Sequence, residues 1–148
     1  MKLCIIGTGY VGLVSGVCFS DIGNDVVCVD RDTKKIENLK KGIIPIYEPG
    51  LEELVLKNYK NNRLKFSTNL KESISKSDII FICVGTPTKK NGNDADLSQI
   101  FNVAREIRSS ISKFKIIITK STVPVTTGDE IEKIISQKVS KKLFSVVS

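Results

Sequence analysis

Gly7, Gly9 and Gly12 stand in the spacing G-x-G-x-x-G, and Asp30 closes the next apolar run. Those residue types at those intervals suit one kind of chemistry, holding a diphosphate and a ribose. Gly7 lets the chain turn sharply out of a strand. Gly9 has no Cβ, so a pyrophosphate can approach the backbone. Gly12 lets the next helix pack close to the strand, and Gly16 keeps that face small one turn later. A helix that begins inside the cluster, at Tyr10 and Val11, points free N–H groups and its positive dipole end at the phosphates. The Asp30 carboxylate can accept bonds from both ribose hydroxyls. Its charge opposes a 2′-phosphate, which favours NAD over NADP. Arg31 next door weakens that preference.

Further along, two loops rich in small polar residues offer hydroxyls and backbone N–H groups. Gly85, Thr86, Pro87 and Thr88 form one, and Ser121, Thr122 and Pro124 belong to the other. They can contact phosphate, ribose or carboxamide, or they can simply cap their own turns. Lys35 lies near Asp30 and can reach an adenosine, or can be a solvated helix lysine. Glu48 is the only acid in a proline-rich loop and reads as structural.

A glycine triplet alone is a weak signal; its context decides. An apolar run, Leu3 to Ile6, precedes the glycines, and an amphipathic segment, Tyr10 to Ile22, follows them. Gly23–Asn24 makes a turn, and a second apolar run, Val26 to Val29, leads to Asp30. Strand, turn, helix, strand and acid within about 30 residues is the pattern of a dinucleotide-binding βαβ unit.

The rest of the chain continues the alternation. Asp32 or Thr33 caps a helix to about Lys41, with Ile36 and Leu39 inward and Gly42 ending it. Gly42 to Gly50 is an ordered loop. Pro49 suits the first turn of the next helix, whose apolar face is Leu51, Leu54, Val55 and Tyr59. Arg63 to Ser67 is an edge strand, Asn69 caps a helix to Lys76, and Ile79 to Val84 is a buried strand. Gly85 to Leu97 is a long polar loop without periodicity, functional or mobile. Leu97, Ile100, Ala104, Ile107 and Ile111 recur at helical spacing. Lys115 to Thr119 is the fifth strand, a helix carries Ile131, Ile134 and Ile135 inward, and Leu143 to Val147 is the sixth strand. Strands alternating with helices predict an α/β, doubly wound parallel sheet of six strands in order 3-2-1-4-5-6, with right-handed crossovers. The order reverses between strands 1 and 4, so a crevice is expected past their C-terminal ends, where the Gly7, Gly85 and Ser121 loops gather.

Composition narrows the classes. The 148 residues suit one domain. No apolar run approaches the ~20 residues of a membrane span. Met1-Lys2-Leu3 leads straight into a strand, so no signal peptide is expected. There is no histidine, and Cys4, Cys18, Cys28 and Cys83 form no C-x-x-C pair, so no metal site is expected. The thiols read as reduced and mostly buried in a cytoplasmic protein. The net charge of +7 comes from scattered lysines and gives at most a mild attraction for anionic nucleotides. Aromatics at 6% offer no stacking platform, so nucleic acid is not an expected partner.

Taken together, GTGYVG (Gly7–Gly12), VDRDTKKI (Val29–Ile36), PIYEPGLEEL (Pro45–Leu54), VGTPT (Val84–Thr88) and KSTVPV (Lys120–Val125) resemble the UDP-glucose 6-dehydrogenase family. The wider group includes GDP-mannose and UDP-N-acetylmannosamine dehydrogenases; PIYEPGL leans toward the UDP-glucose branch. The resemblance implies a Rossmann-type fold and a four-electron oxidation of UDP-glucose to UDP-glucuronate with two NAD. It implies that Gly7, Gly9, Tyr10, Val11 and Gly12 form the phosphate loop. Asp30 and Lys35 hold the adenosine ribose, and Thr86 and Thr122 contact the cofactor further along, Thr122 nearest the reacting carbon. In the family the chain runs on into an N-P-E-F-L segment, a linking helix and a UDP-sugar-binding domain with the catalytic lysine, asparagine, cysteine and aspartate, in a homo-oligomer. Ser148 falls before all of these, so the expectation is the cofactor domain alone, without catalytic residues of its own beyond an assisting Thr122. A regulatory NAD-sensing module of similar length is the alternative class.

Overall fold

A computed structural model describes residues 1–89 and 94–147. Its centre is one parallel sheet in the order β3-β2-β1-β4-β5-β6. The strands are β1 Lys2–Ile6, β2 Asp25–Val29, β3 Leu64–Ser67, β4 Ile79–Ile82, β5 Lys115–Thr119 and β6 Phe144–Val147. The helices are α1 Tyr10–Asp21, α2 Thr33–Lys40, α3 Leu51–Lys60, α4 Leu70–Lys76, α5 Ser98–Ser110 and α6 Thr127–Ser136. This is the expected doubly wound topology. The central register pairs Ile6 with Val29 on one side and with Ile82 on the other.

Strand alternation sorts the core into two layers. Leu3 and Ile5 of β1 face Leu13 and Val17 of α1, with Ile36, Leu39, Leu51 and Val55 from α2 and α3. Cys4 and Ile6 face the other way, toward Ile74 of α4, Ile100 and Ile107 of α5, and Ile131 and Ile135 of α6.

Four local expectations change. First, α1 is two-faced by size rather than by polarity. Gly12, Gly16 and Ser20 are buried with Leu13 and Val17, while Val11, Cys18 and Ile22 are exposed. Second, Pro49 lies outside α3. The Leu51 N–H donates to the Glu48 carbonyl at 3.1 Å, and Gly50 adopts φ 78°, ψ −7°. Proline then glycine at the two central positions makes a type II turn, which delays the helix. Third, Tyr59 is partly exposed and stacks on Phe66 at 5.9 Å, whereas Asn58 is the buried neighbour. Fourth, β4 ends at Ile82, although the Cys83 N–H still donates to the Ile6 carbonyl at 2.8 Å. The long polar loop closes on itself through an antiparallel bridge between Thr88 and Ala95. Its residues 90–93, like Ser148, lie outside the described residues. A single 3-10 turn, Lys141–Leu143, precedes β6.

Candidate functional site

The chain leaves β1 through Gly7, whose φ of 101° only glycine adopts readily. A Cβ there would fall 2.6 Å from the Cys83 carbonyl oxygen, so β4 also forbids a side chain. The first helical bond of α1 runs from the Leu13 N–H to the Gly9 carbonyl at 2.9 Å. Among the described residues no side chain caps the helix. The N–H groups of Tyr10, Val11 and Gly12 therefore have no carbonyl one turn back and point out of the helix start. A Cβ on Gly9 would meet no heavy atom of the described residues within 4 Å. This is open space beside unpaired donors, which a diphosphate requires.

That space continues into a cleft of about 800 Å³ at the β1–β4 crevice. Gly7, Gly9, Asp30, Arg31, Lys35 and Gly85 are among its walls. Its walls carry Arg31, Lys35 and Lys71 but also Asp30, Asp32 and Glu106, so the chain's positive charge is not concentrated there. The helix start, rather than a basic patch, is therefore the feature suited to an anion.

Asp30 is the most heavily bonded side chain in the cleft. Its Oδ2 accepts from the Thr8 N–H at 3.0 Å, the Thr8 hydroxyl at 2.7 Å and Lys35 Nζ at 3.0 Å. Its Oδ1 accepts from the Asp32 N–H at 3.1 Å. Burial alone would raise its pKa, but the donors of Thr8, Asp32 and Lys35 outweigh that and hold it at about 2. Asp30 is a carboxylate at any physiological pH. Lys35 reaches the cleft through this ion pair. Thr8 was invisible in the spacing, although β1 pairs with β2 at Ile6 and Val29, which carries Thr8 toward Asp30.

The other two loops sit beside the cleft. The Thr86 hydroxyl donates to the Thr122 carbonyl at 3.1 Å. Ser121 Oγ donates to the Val84 carbonyl at 2.7 Å. These bonds tie the ends of β4 and β5 together, as the topology led one to expect. Thr86, Pro87, Ser121 and Thr122 are not among the walls of the cleft, and Pro87 and Thr122 are exposed. Glu48 has a definite partner, for the Tyr10 phenol donates to its carboxylate and fastens the proline loop to the start of α1. That bond raises the Tyr10 pKa above its ordinary value. Cys83 is buried under α1, as alternation required, yet it also contributes to the cleft wall.

An open helix start, a bare glycine and a fixed carboxylate at the reversal of strand order make the geometry of a dinucleotide-binding domain. Comparison with known proteins narrows the class. The model of the UDP-glucose/GDP-mannose dehydrogenase family, NAD binding domain, matches residues 1–148, and the chain belongs to that family. A UDP-glucose 6-dehydrogenase of Rhizobium meliloti (strain 1021) is 53% identical over 148 residues, which cover 100% of this chain and 34% of that protein. The UDP-glucose 6-dehydrogenase TuaD of Bacillus subtilis (strain 168) is 52% identical over 97% of this chain and 31% of its own. Among solved structures, a ternary complex of GDP-mannose dehydrogenase from Pseudomonas aeruginosa superposes with a TM-score of 0.92 at 39% identity, covering 99% of this chain and 35% of that one. The chain thus spans about a third of the length of these relatives. NAD is the cofactor of the domain, and the match sets aside the regulatory module.

Proposed function

We propose that the chain is the cofactor-holding part of an enzyme that oxidises the C6 alcohol of UDP-glucose to the carboxylate of UDP-glucuronate. The overall change consumes two NAD and one water and releases two NADH and three protons. Bound NAD supplies the hydride acceptor. The chain's own residues bind and orient it. Tyr10, Val11 and Gly12 offer N–H groups to the pyrophosphate, with Gly7 and Gly9 leaving it room. Asp30, Lys35 and Arg31 meet the adenosine ribose. Gly85, Thr86, Pro87, Ser121 and Thr122 border the far end of the cofactor, with Thr122 beside the reacting carbon. The linked Thr86–Thr122 loops support that assignment.

A linking helix and a UDP-sugar-binding domain, carried by a longer polypeptide that assembles as a homo-oligomer, complete the enzyme in this reading. The relatives' greater length supports it. Among the described residues no helix is long and apolar enough to cross a membrane, and Cys4, Cys28 and Cys83 are buried free thiols. Both features suit a cytoplasmic enzyme.

The observation that carries the cofactor assignment is the uncapped start of α1 facing open space at Gly9. Calorimetric titration of the 148-residue chain with NAD and NADP tests it. Binding of NAD with a weaker NADP isotherm is expected, and no heat with NAD sinks it. The substrate assignment is tested on the longer polypeptide by NADH absorbance with UDP-glucose, GDP-mannose and UDP-N-acetylmannosamine. Faster turnover of either alternative sugar refutes it.

A further inference from the structure

Thr8 stands between Gly7 and Gly9 and is 1% exposed. No part of the phosphate-loop chemistry uses its side chain. A buried hydroxyl still needs a partner. Thr8 spends both its hydroxyl and its N–H on one atom, Asp30 Oδ2, at 2.7 and 3.0 Å. With Lys35 Nζ at 3.0 Å, that oxygen has three donors. A carboxylate oxygen has about two lone-pair directions, so Oδ2 is saturated. Among the described residues Oδ1 accepts only from the Asp32 N–H, which leaves it a lone pair. The Asp30 side chain is 13% exposed and lines the cleft, so a ribose diol that reaches it meets Oδ1.

We propose that Thr8 is the positioning residue that sets the domain's preference for an unphosphorylated ribose, by locking Asp30 with one oxygen turned to the cleft. This rests on the NAD-binding reading above. Charge alone does not give the preference, because Lys35 pairs with Asp30 and Arg31 stands beside it on the cleft wall. If Asp30 swings aside, the same two cations suit a 2′-phosphate. Lys35 cannot supply the lock, since an ammonium on a flexible four-carbon stem follows its partner rather than fixing it. Thr8 can, because its two donors come from one residue on the tight turn between β1 and α1. Exclusion of NADP therefore depends on where Asp30 is held.

The variants Thr8→Val and Thr8→Ser separate this from a purely structural role. Valine keeps the branched shape and loses the hydroxyl; serine keeps the hydroxyl. Both are titrated calorimetrically with NAD and NADP, with circular dichroism and thermal melting as checks on folding. Thr8→Val is expected to narrow the NAD-to-NADP affinity ratio about tenfold, through weaker NAD and stronger NADP binding. Thr8→Ser is expected to keep the wild-type ratio within about twofold. A structural role would weaken both cofactors alike and leave the ratio where it was, which overturns the proposal. If valine prevents folding, Thr8→Ala carries the same comparison. Failure of the wild type itself to bind NAD overturns the cofactor reading and this inference together, whereas wild-type binding with an unmoved ratio overturns this inference alone.

Discussion

Gly9 and Gly12 differ in what a side chain would meet. At Gly9 the backbone is extended, φ −73° and ψ −171°, and the space is open, so valine is accommodated. Gly9→Val should keep the native circular dichroism and melting temperature while NAD affinity falls about a hundredfold or more, because two methyls fill the phosphate's approach. Wild-type affinity in that variant contradicts the phosphate-loop assignment. At Gly12 a Cβ would lie 1.9 Å from the Gly7 carbonyl oxygen and 3.1 Å from Cys83 Cβ. Gly12→Val must push α1 off β1, and a loss of about 3 kcal/mol in urea unfolding is expected. Asp30 gives a pH signature. Its pKa drops from 3.8 to about 2 on folding, so its contribution is full above the unfolded value and is lost as pH falls through the folded one. Asp30→Asn should cost about 2 kcal/mol at neutral pH, and its difference from wild type should shrink between about pH 4 and pH 2. A difference that stays constant over that range contradicts the carboxylate's role. The glycines and Asp30 were legible because their meaning lies in short-range spacing. Thr8 was not, because its partner lies 22 residues away and a turn threonine carries no periodic mark.

Hydrophobic spacing marks the elements where burial follows polarity; where burial follows size, only the glycine spacing does. The isoleucines of α5 and α6 repeat at helical intervals, and both helices form there. The buried face of α1 is made largely of Gly12, Gly16 and Ser20, which no hydrophobic pattern marks. A Cβ on Gly16 would sit 2.5 Å from Cys28 Sγ, so the helix lies against the sheet only because that position is bare. The junction of α4 with β5 was hidden for another reason. Lys115 reads as the first residue of a strand, yet it is fully buried. Its ammonium donates to the Ser77 carbonyl at 2.6 Å and the Ser75 carbonyl at 3.3 Å, capping the end of α4. Burial lowers its pKa, but those carbonyls give the charge a use. Lys115→Met keeps the apolar stem and leaves two carbonyls without their donor. A loss of about 2 kcal/mol is expected, with faster hydrogen exchange in the last turn of α4. NAD affinity should not change, because Lys115 begins its strand at the end of the sheet away from the cleft. An unchanged urea midpoint would contradict the capping role.

At the scale of the molecule, alternation of strand and helix is enough to derive the sheet order, because right-handed crossovers leave few alternatives. The same order brings the Gly7, Gly85 and Ser121 loops to one edge. Alcohol oxidation needs a base for the hydroxyl proton, and the aldehyde stage needs a nucleophile to hold the carbon for the second transfer. The chain has no histidine. Burial pushes the Cys83 thiol up to about 11, with Lys120 offsetting only part of that, and pushes Cys4 up to about 12. Cys28 is raised further by burial and by its neighbours Cys4 and Cys83. Cys18 departs from the expected core placement and is exposed on α1. At 1.5 Å per residue it sits about 12 Å along the helix from Tyr10, well away from the open start of α1. Cys83 is thus the one thiol on the cleft wall, and at neutral pH burial keeps it in the thiol form. The isolated 148-residue chain should therefore bind NAD and form no NADH from UDP-glucose, followed by absorbance over hours. Turnover above background that disappears in Cys83→Ser would overturn this. Turnover that appears only when the chain is extended to the length of its relatives would support it, because the base and nucleophile would then come from outside the cofactor domain.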